Sequence, residues 1–170
     1  MTNLNIPSEL EEVFREFRTC EFSTLAKDST PITWPVTPLY QPDKGHFLIT
    51  TSIGLPQKAF NIRRNSRVSL LFSNSTGSGL LDPPAVLIQG DAQAPDEIVT
   101  TWSKDLEDFA WQVFPRQPAG ELYSSNWLMR HLFDWYYMRL LITVSPKRIL
   151  WWDHGDFSQA PREKEVTNVA

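Results

Sequence analysis

At 170 residues the chain has the length for one substantial core. Hydrophobic residues make up 41% and charged residues 21%, an ordinary globular balance, and the net charge of −4 disfavours a generic nucleic-acid or anionic-membrane surface. The single cysteine, Cys20, excludes an internal disulfide and a cysteine-based metal cluster. Apolar runs fall far short of a membrane span, and no basic segment with a long apolar run opens the sequence, so the expectation is a cytoplasmic protein. Aromatics stand at 12% with seven Trp, which suits either a stacking ligand, a large interface or a Trp-rich core.

In chain order, Ser8 followed by Glu11 has capping-box spacing, and Leu10, Val13, Phe14 and Phe17 repeat at helical intervals. A helix is predicted over 8–19. Strand-like segments follow: 20–27, closed by the turn Asp28-Ser29-Thr30-Pro31, then 32–40, where Ile32, Trp34, Val36 and Tyr40 mark one face. The turn at 42–45 leads to a strand at 46–51, a short helix at 57–64 and a strand at 67–73. A loop of unusual length spans 74–84 before a strand at 85–93.

Asp96 then caps a predicted helix with apolar positions Ile98, Val99, Trp102, Leu106, Phe109, Ala110 and Val113, interrupted by Pro115 and Pro118. A further helix is predicted over 120–134. A closing hairpin pairs 136–144 with 148–152 across Ser145-Pro146-Lys147, and the polar tail from 155 is expected to fray. No linker or repeat divides the chain. The expectation is a single, mainly β, α+β domain over 1–170, a barrel or sandwich with flanking helices.

Charge is distributed unevenly. From Lys44 to Leu81 there is no Asp or Glu, although the chain carries 20, and Lys58, Arg63, Arg64 and Arg67 cluster there beside Thr50, Thr51 and Ser52. Hydroxyls, a lysine and helix-start amides suit a phosphate; a solvated basic face is the alternative. Pro35 and Pro38 interrupt an alternating strand, so that strand is an edge or carries a bulge. An edge leaves main-chain groups for a planar heteroaromatic ring, or is simply a protected sheet margin.

The run TPITWPVTPLYQPDKGHFLITTSIGLPQKAFNIRRNSRVSLLFSN, followed by AVLIQGDAQ, resembles the pyridoxamine-phosphate-oxidase-like FMN-binding split barrels. The features are a Pro-led second strand, a hydrophobic third strand ending in Thr or Ser, a lysine opening a short helix, an Asn-apolar-Arg-Arg-Asn segment and an apolar strand ending in Gly. The resemblance implies a split β-barrel that forms a homodimer, with FMN in the groove between protomers. It implies that Thr50, Thr51, Ser52 and Lys58 hold the phosphate, assisted by Gln57 and Asn61, while Thr33, Trp34, Pro35 and Val36 line the flavin ring largely through main chain. Arg63 or Arg64 would add positive potential or lie on the surface. Trp111, Trp127, Trp135, Tyr136, Trp151 and Trp152 would wall the site from the partner or pack as core.

An FMN-dependent oxidoreductase acting on a small-molecule substrate follows from the resemblance. The same fold using the deazaflavin F420, or a non-catalytic flavin or haem binding protein, are the alternatives. The resemblance is to the broad family: the chain ends REKEVTNVA, where oxidases of pyridoxamine phosphate carry a basic substrate motif. Other chemistries are disfavoured. His46, His131 and His154 have no ligand spacing, Asp153-His154-Gly155-Asp156 reads as a polar turn, and no nucleophile elbow, dinucleotide fingerprint or phosphate loop occurs.

Overall fold

The stripe formed by Leu10, Val13 and Phe14 is fully buried on a helix, α1, over Ser8–Glu16. A computed structural model describes residues 6–99, 108, 109, 112 and 138–166. Ser8 does not cap α1. Pro7 occupies the N-cap position without a side-chain cap, and Phe17 turns extended, ending the helix before the predicted residue 19 while burying its own ring.

Seven strands form one continuous antiparallel sheet: β1 (Cys20–Leu25), β2 (Pro31–Val36), β3 (Leu39–Gln41), β4 (His46–Ser52), β5 (Arg67–Phe72), β6 (Ala85–Gln93) and, later in the chain, β8 (Arg139–Trp152). The short strands β7 (Ile98–Val99) and β9 (Arg162–Glu165) both add to β8, and helix α2 (Gln57–Arg64) links β4 to β5. The order is β2-β1-β5-β6-β8-β4-β3. Where one strand is predicted over 32–40, the chain makes two, β2 on one edge and β3 on the other. Thr37 and Pro38 lie between them, and Pro38 offers no amide to a ladder. Because both edges belong to one short segment, the sheet must curl until they approach. The result is an α+β fold, a split barrel flanked by helices that include α1 and α2.

Aromatic rings fill the barrel. The Phe14 ring centroid lies 5.3 Å from Tyr40, 4.9 Å from Phe47 and 5.1 Å from Phe72, all at angles away from face-to-face stacking. Each such buried side chain contributes roughly 1.5–3 kcal/mol by area removed from water.

The C-terminal part departs most from expectation. β8 is one continuous strand of 14 residues, not a hairpin. It pairs with β4 through Arg139–Val144 and with β6 from Thr143 to Trp152, with a bulge between Gln89 and Gly90 that sets Gly90 opposite Pro146. The bulge absorbs the proline's missing amide within a strand, so no turn is needed there. Gly90 has the room for this: a Cβ on it would run into the Ser145 carbonyl. Lys147 pairs with Asp91 across the same irregularity and holds that carboxyl below its ordinary range. Asp96 caps no helix at this point. It pairs with Arg63, and Ile98 and Val99 form β7 beside Leu140 and Arg139. The tail beyond 155 is not wholly loose, since β9 pairs with β8 and Arg148 grips the Glu163 carboxylate. The predicted 120–134 helix and most of the 96–113 helix lie outside the described residues. Among the described residues no helix is long and apolar enough to cross a membrane.

Candidate functional site

α2 packs against β1 and β6, and Lys58 reaches from it to Trp34 on β2, which brings together the two regions singled out in the sequence. Cys20, Phe22 and Thr24 alternate inward along β1. In the antiparallel register Phe22 faces Trp34 and Thr24 faces Ile32, so these four side chains share one face. Ala59, Asn61 and Ile62 are the buried positions of α2, and Asn61 is wholly inaccessible. Its amide donates to the Thr24 hydroxyl at 2.9 Å, while its carbonyl oxygen accepts from Gln57 at 2.9 Å and from the Arg64 guanidinium. The Asn61 side chain is therefore engaged entirely within the protein.

One turn toward the helix start, Lys58 places its ammonium 5.1 Å from the centroid of the Trp34 ring. Burial lowers the Lys58 pKa, and among the described residues no carboxylate lies within ion-pair reach of it. The first turn of α2 contains no acidic residue. A half-buried ammonium without a carboxylate partner has the charge and the hydrogen-bond donors to receive an anion.

The other cations of the basic cluster are committed elsewhere. Arg63 donates to the carbonyls of Ala94 at 2.7 Å and Pro95 at 2.8 Å, pairs with Asp96 and lies over the Phe60 ring. Arg64 is taken by Asn61, and Arg67 by the side chain of Asn65 at 3.4 Å. Within the cluster Arg63 thus pairs with Asp96, Arg64 and Arg67 bond to neutral amide side chains, and Lys58 has neither an ion pair nor a hydrogen bond among the described residues.

The hydroxyl run at the end of β4 is divided between faces. Thr51 follows Phe47 and Ile49 on the core side, and its hydroxyl donates to the Leu55 carbonyl at 3.0 Å. Thr50 and Ser52 follow Leu48 on the opposite side, where Leu39, Leu48 and Phe109 form a second small cluster. The Ser52 hydroxyl accepts from the Gly54 amide at 3.2 Å. Thr51 and Ser52 therefore wind the Ser52–Leu55 turn that delivers α2, and Thr50 is half-buried beside them.

On β2, Trp34 and Val36 face inward while Thr33 and Pro35 are exposed. The Thr33 hydroxyl lies 2.7 Å from that of Ser23 on the neighbouring strand. Among the described residues β2 has β1 as its only strand neighbour, so its second edge is open.

Of the C-terminal aromatics, Trp111, Trp127, Trp135 and Tyr136 lie outside the described residues. Trp151 is buried in the core, while the adjacent Trp152 points the other way and packs at a tilt against Phe157, with ring centroids 5.0 Å apart. Asp153–Gly155 form a 3-10 turn, as the polar composition suggests, and no group of three metal-ligating side chains occurs among the described residues. Cys20 is buried, and burial pushes its thiol well above the ordinary range, an inert setting.

Thr24 escapes sequence reasoning. Its signal is a polar residue in an inward slot of the alternation Cys20, Phe22, Thr24, where a core strand would place an apolar one.

Residues 6–148 match the family model described as pyridoxamine 5'-phosphate oxidase. Curated proteins give no match. Similar solved structures include General Stress Protein 26 of Bacillus anthracis, at 15% identity and TM-score 0.55, covering 93% of this chain and 96% of that one. The heme binding protein of Mycobacterium smegmatis is 16% identical with TM-score 0.57, and the alignment covers 94% of this chain but 59% of that protein. HutZ, the heme storage protein of Vibrio cholerae, is 18% identical with TM-score 0.52, covering 85% and 90%. At such identities the likeness is one of fold, while the match across most of the chain goes further. The chain belongs to the broad pyridoxamine 5'-phosphate-oxidase-like family of split barrels.

Proposed function

We propose that the chain binds a phosphorylated flavin, FMN, at the corner where β4 leads into α2, and that it does so as a homodimer with the ring along the open edge of β2. The observation that carries this reading is the half-buried Lys58 ammonium, which lacks a carboxylate partner among the described residues and lies against Trp34. A phosphate would supply the missing negative charge, and an indole beside it suits a flat ring. Lys58 is the principal phosphate contact in this reading, with Thr50 and Ser52 at the strand end. Thr33, Trp34, Pro35 and Val36 offer the β2 edge, while Gln57 and Asn61 hold α2 in place. Bound flavin would supply hydride transfer to or from a small-molecule substrate, which makes an oxidoreductase the corresponding activity.

The second reading is a protein that holds flavin or haem without turnover. The similarity to two structures named for heme favours it. Against haem at this corner, His46 lies at the opposite end of β4 from Ser52, roughly 20 Å away at strand spacing. His154 follows the far end of β8 from Arg139, the residue paired with Ser52.

The deciding experiment is the absorption spectrum of the purified protein together with mass identification of any released cofactor. FMN gives bands near ~450 nm, a deazaflavin absorbs at shorter wavelength and haem gives an intense Soret band. Released FMN, loss of its binding in Lys58→Ala and oxidation of a nicotinamide donor support the enzyme. Tight FMN without turnover supports storage. Haem, with indifference to Lys58→Ala, overturns the proposal, and a monomer by sizing removes the two-subunit groove.

A further inference from the structure

We propose that Thr24 and Asn61 act together as positioning residues for the anion subsite, fixing the Lys58 ammonium over Trp34; this rests on reading Lys58 as the phosphate contact. A helix lying on a sheet can slide or roll by a few ångströms, and a lysine reached through four methylenes follows its helix. Apolar contacts from Ala59 and Ile62 hold α2 to the core but do not fix its register, because apolar packing is non-directional. The Asn61 amide supplies the direction. It meets the Thr24 hydroxyl at 2.9 Å between two side chains that are essentially fully buried, at 0% and 1% exposure. Where water is excluded, such a bond tolerates little displacement, since breaking it leaves two polar groups unsatisfied.

The register then determines where Lys58 falls. Thr24 lies opposite Ile32 on β2, and Trp34 is two residues further along the same face. Trp34 is thus the diagonal neighbour of Thr24, roughly 7–8 Å away. Lys58 stands three residues before Asn61, a rise of about 4.5 Å along the helix. Pinning Asn61 to Thr24 therefore sets the preceding turn of α2 above the tryptophan. On the other side of the amide, Gln57 and Arg64 both donate to the Asn61 oxygen, which fixes the amide's orientation so that its NH2 faces Thr24.

The test follows Lys58 itself as well as ligand affinity. In protein carrying 13C-labelled lysine, the Lys58 ε-methylene should be shifted upfield by the Trp34 ring current and is assigned by its loss in Lys58→Arg. In Thr24→Val, isosteric but without the hydroxyl, that signal should move to the position of exposed lysines. FMN should then bind roughly fivefold to tenfold more weakly. Thr24→Ser should restore both. Thr24→Ala, measured in parallel, serves if the valine variant does not fold. An unshifted Lys58 signal in wild type, or one that stays shifted in the folded Val or Ala variant, overturns the proposal. If wild type fails to bind FMN while the signal still responds to Thr24, the positioning role stands and the flavin reading falls.

Discussion

The Lys58 ammonium stands 5.1 Å from the centre of the Trp34 indole, joining the helix after β4 to the edge strand β2. Burial alone lowers the pKa of this lysine, because transfer out of water disfavours its charged form. The sign of the pH effect follows. The unfolded chain binds a proton at Lys58 up to the ordinary lysine pKa, whereas the folded protein releases it earlier. Stability therefore carries a cost at neutral pH that is relieved as pH rises from the folded toward the unfolded pKa.

Binding of an anion at the proposed subsite runs the other way. A phosphate favours the protonated lysine, so its affinity should decline on the alkaline side at a lower pH than an exposed lysine would give. Lys58→Met, which keeps the stem and removes the charge, should abolish this pH dependence and weaken binding by roughly tenfold to a hundredfold. Titrating FMN from pH 7 to 10 against both proteins measures it. The same alkaline profile in Lys58→Met would assign the titration to another group.

Arg63 belongs to the same basic cluster but serves a different end. Its guanidinium satisfies the Ala94 and Pro95 carbonyls and pairs with Asp96, tying α2 to the chain that leaves β6. Arg63→Gln should lower stability by about 1–2 kcal/mol in urea unfolding, since carbonyls that lose a charged donor are only partly re-solvated. FMN affinity in the folded protein should change less than threefold, whereas Lys58→Met, which removes the buried charge and its cost, should leave stability unchanged or slightly raised. Reversed behaviour of the two variants would exchange their roles.

These contrasts mark what the sequence could and could not yield. Alternation and turn chemistry place β1, β4, β5, β6 and α2 to within a residue or two, because each is set by local periodicity. The acid-free stretch around Lys58 points to an anion, but composition does not reveal that Arg63, Arg64 and Arg67 have internal partners at Ala94, Asn61 and Asn65. Nor does it reveal that Thr24, distant in sequence, meets Asn61. The splitting of 32–40 into opposite edges is likewise a tertiary fact. Pro38 signals an interruption, but the change of partner from β1 to β4 depends on closure of the sheet.

Ser145-Pro146-Lys147 carries the residues of a turn, yet it runs straight through β8 because Gly90 yields the space opposite. Gly90→Ala should therefore be costly despite an extended backbone that alanine could adopt. Its Cβ would collide with the Ser145 carbonyl, which the surrounding ladder prevents from retreating. A loss of about 2–3 kcal/mol is expected by urea unfolding, in the range of overpacked cores. Ala at Gly79, where a Cβ meets nothing within 4 Å, is the control for space alone and should cost less, although its positive φ of 82° adds some strain. A loss at Gly90 no larger than that at Gly79 would show that the Ser145 carbonyl gives way and that the collision does not set the cost.

Tyr40 offers the opposite case, a polar group whose removal should help. Its ring packs among Phe14 and Phe47, but its hydroxyl is buried with no hydrogen-bond partner among the described residues, and burial, followed by the charge of Glu11, pushes its pKa up to about 12. A desolvated hydroxyl with nothing to bond costs stability that a phenyl ring of the same shape does not. Tyr40→Phe should therefore be neutral to stabilising by about 1 kcal/mol, read as an upward shift of the urea midpoint at constant m value. It should also leave the Lys58 ring-current shift and FMN affinity unchanged, because the ring contacts of Tyr40 are with Phe14 of α1 and Phe47 of β4. A clear loss of stability would mean that the hydroxyl holds an internal water, and a neutron or high-resolution X-ray map of the wild type would then locate it.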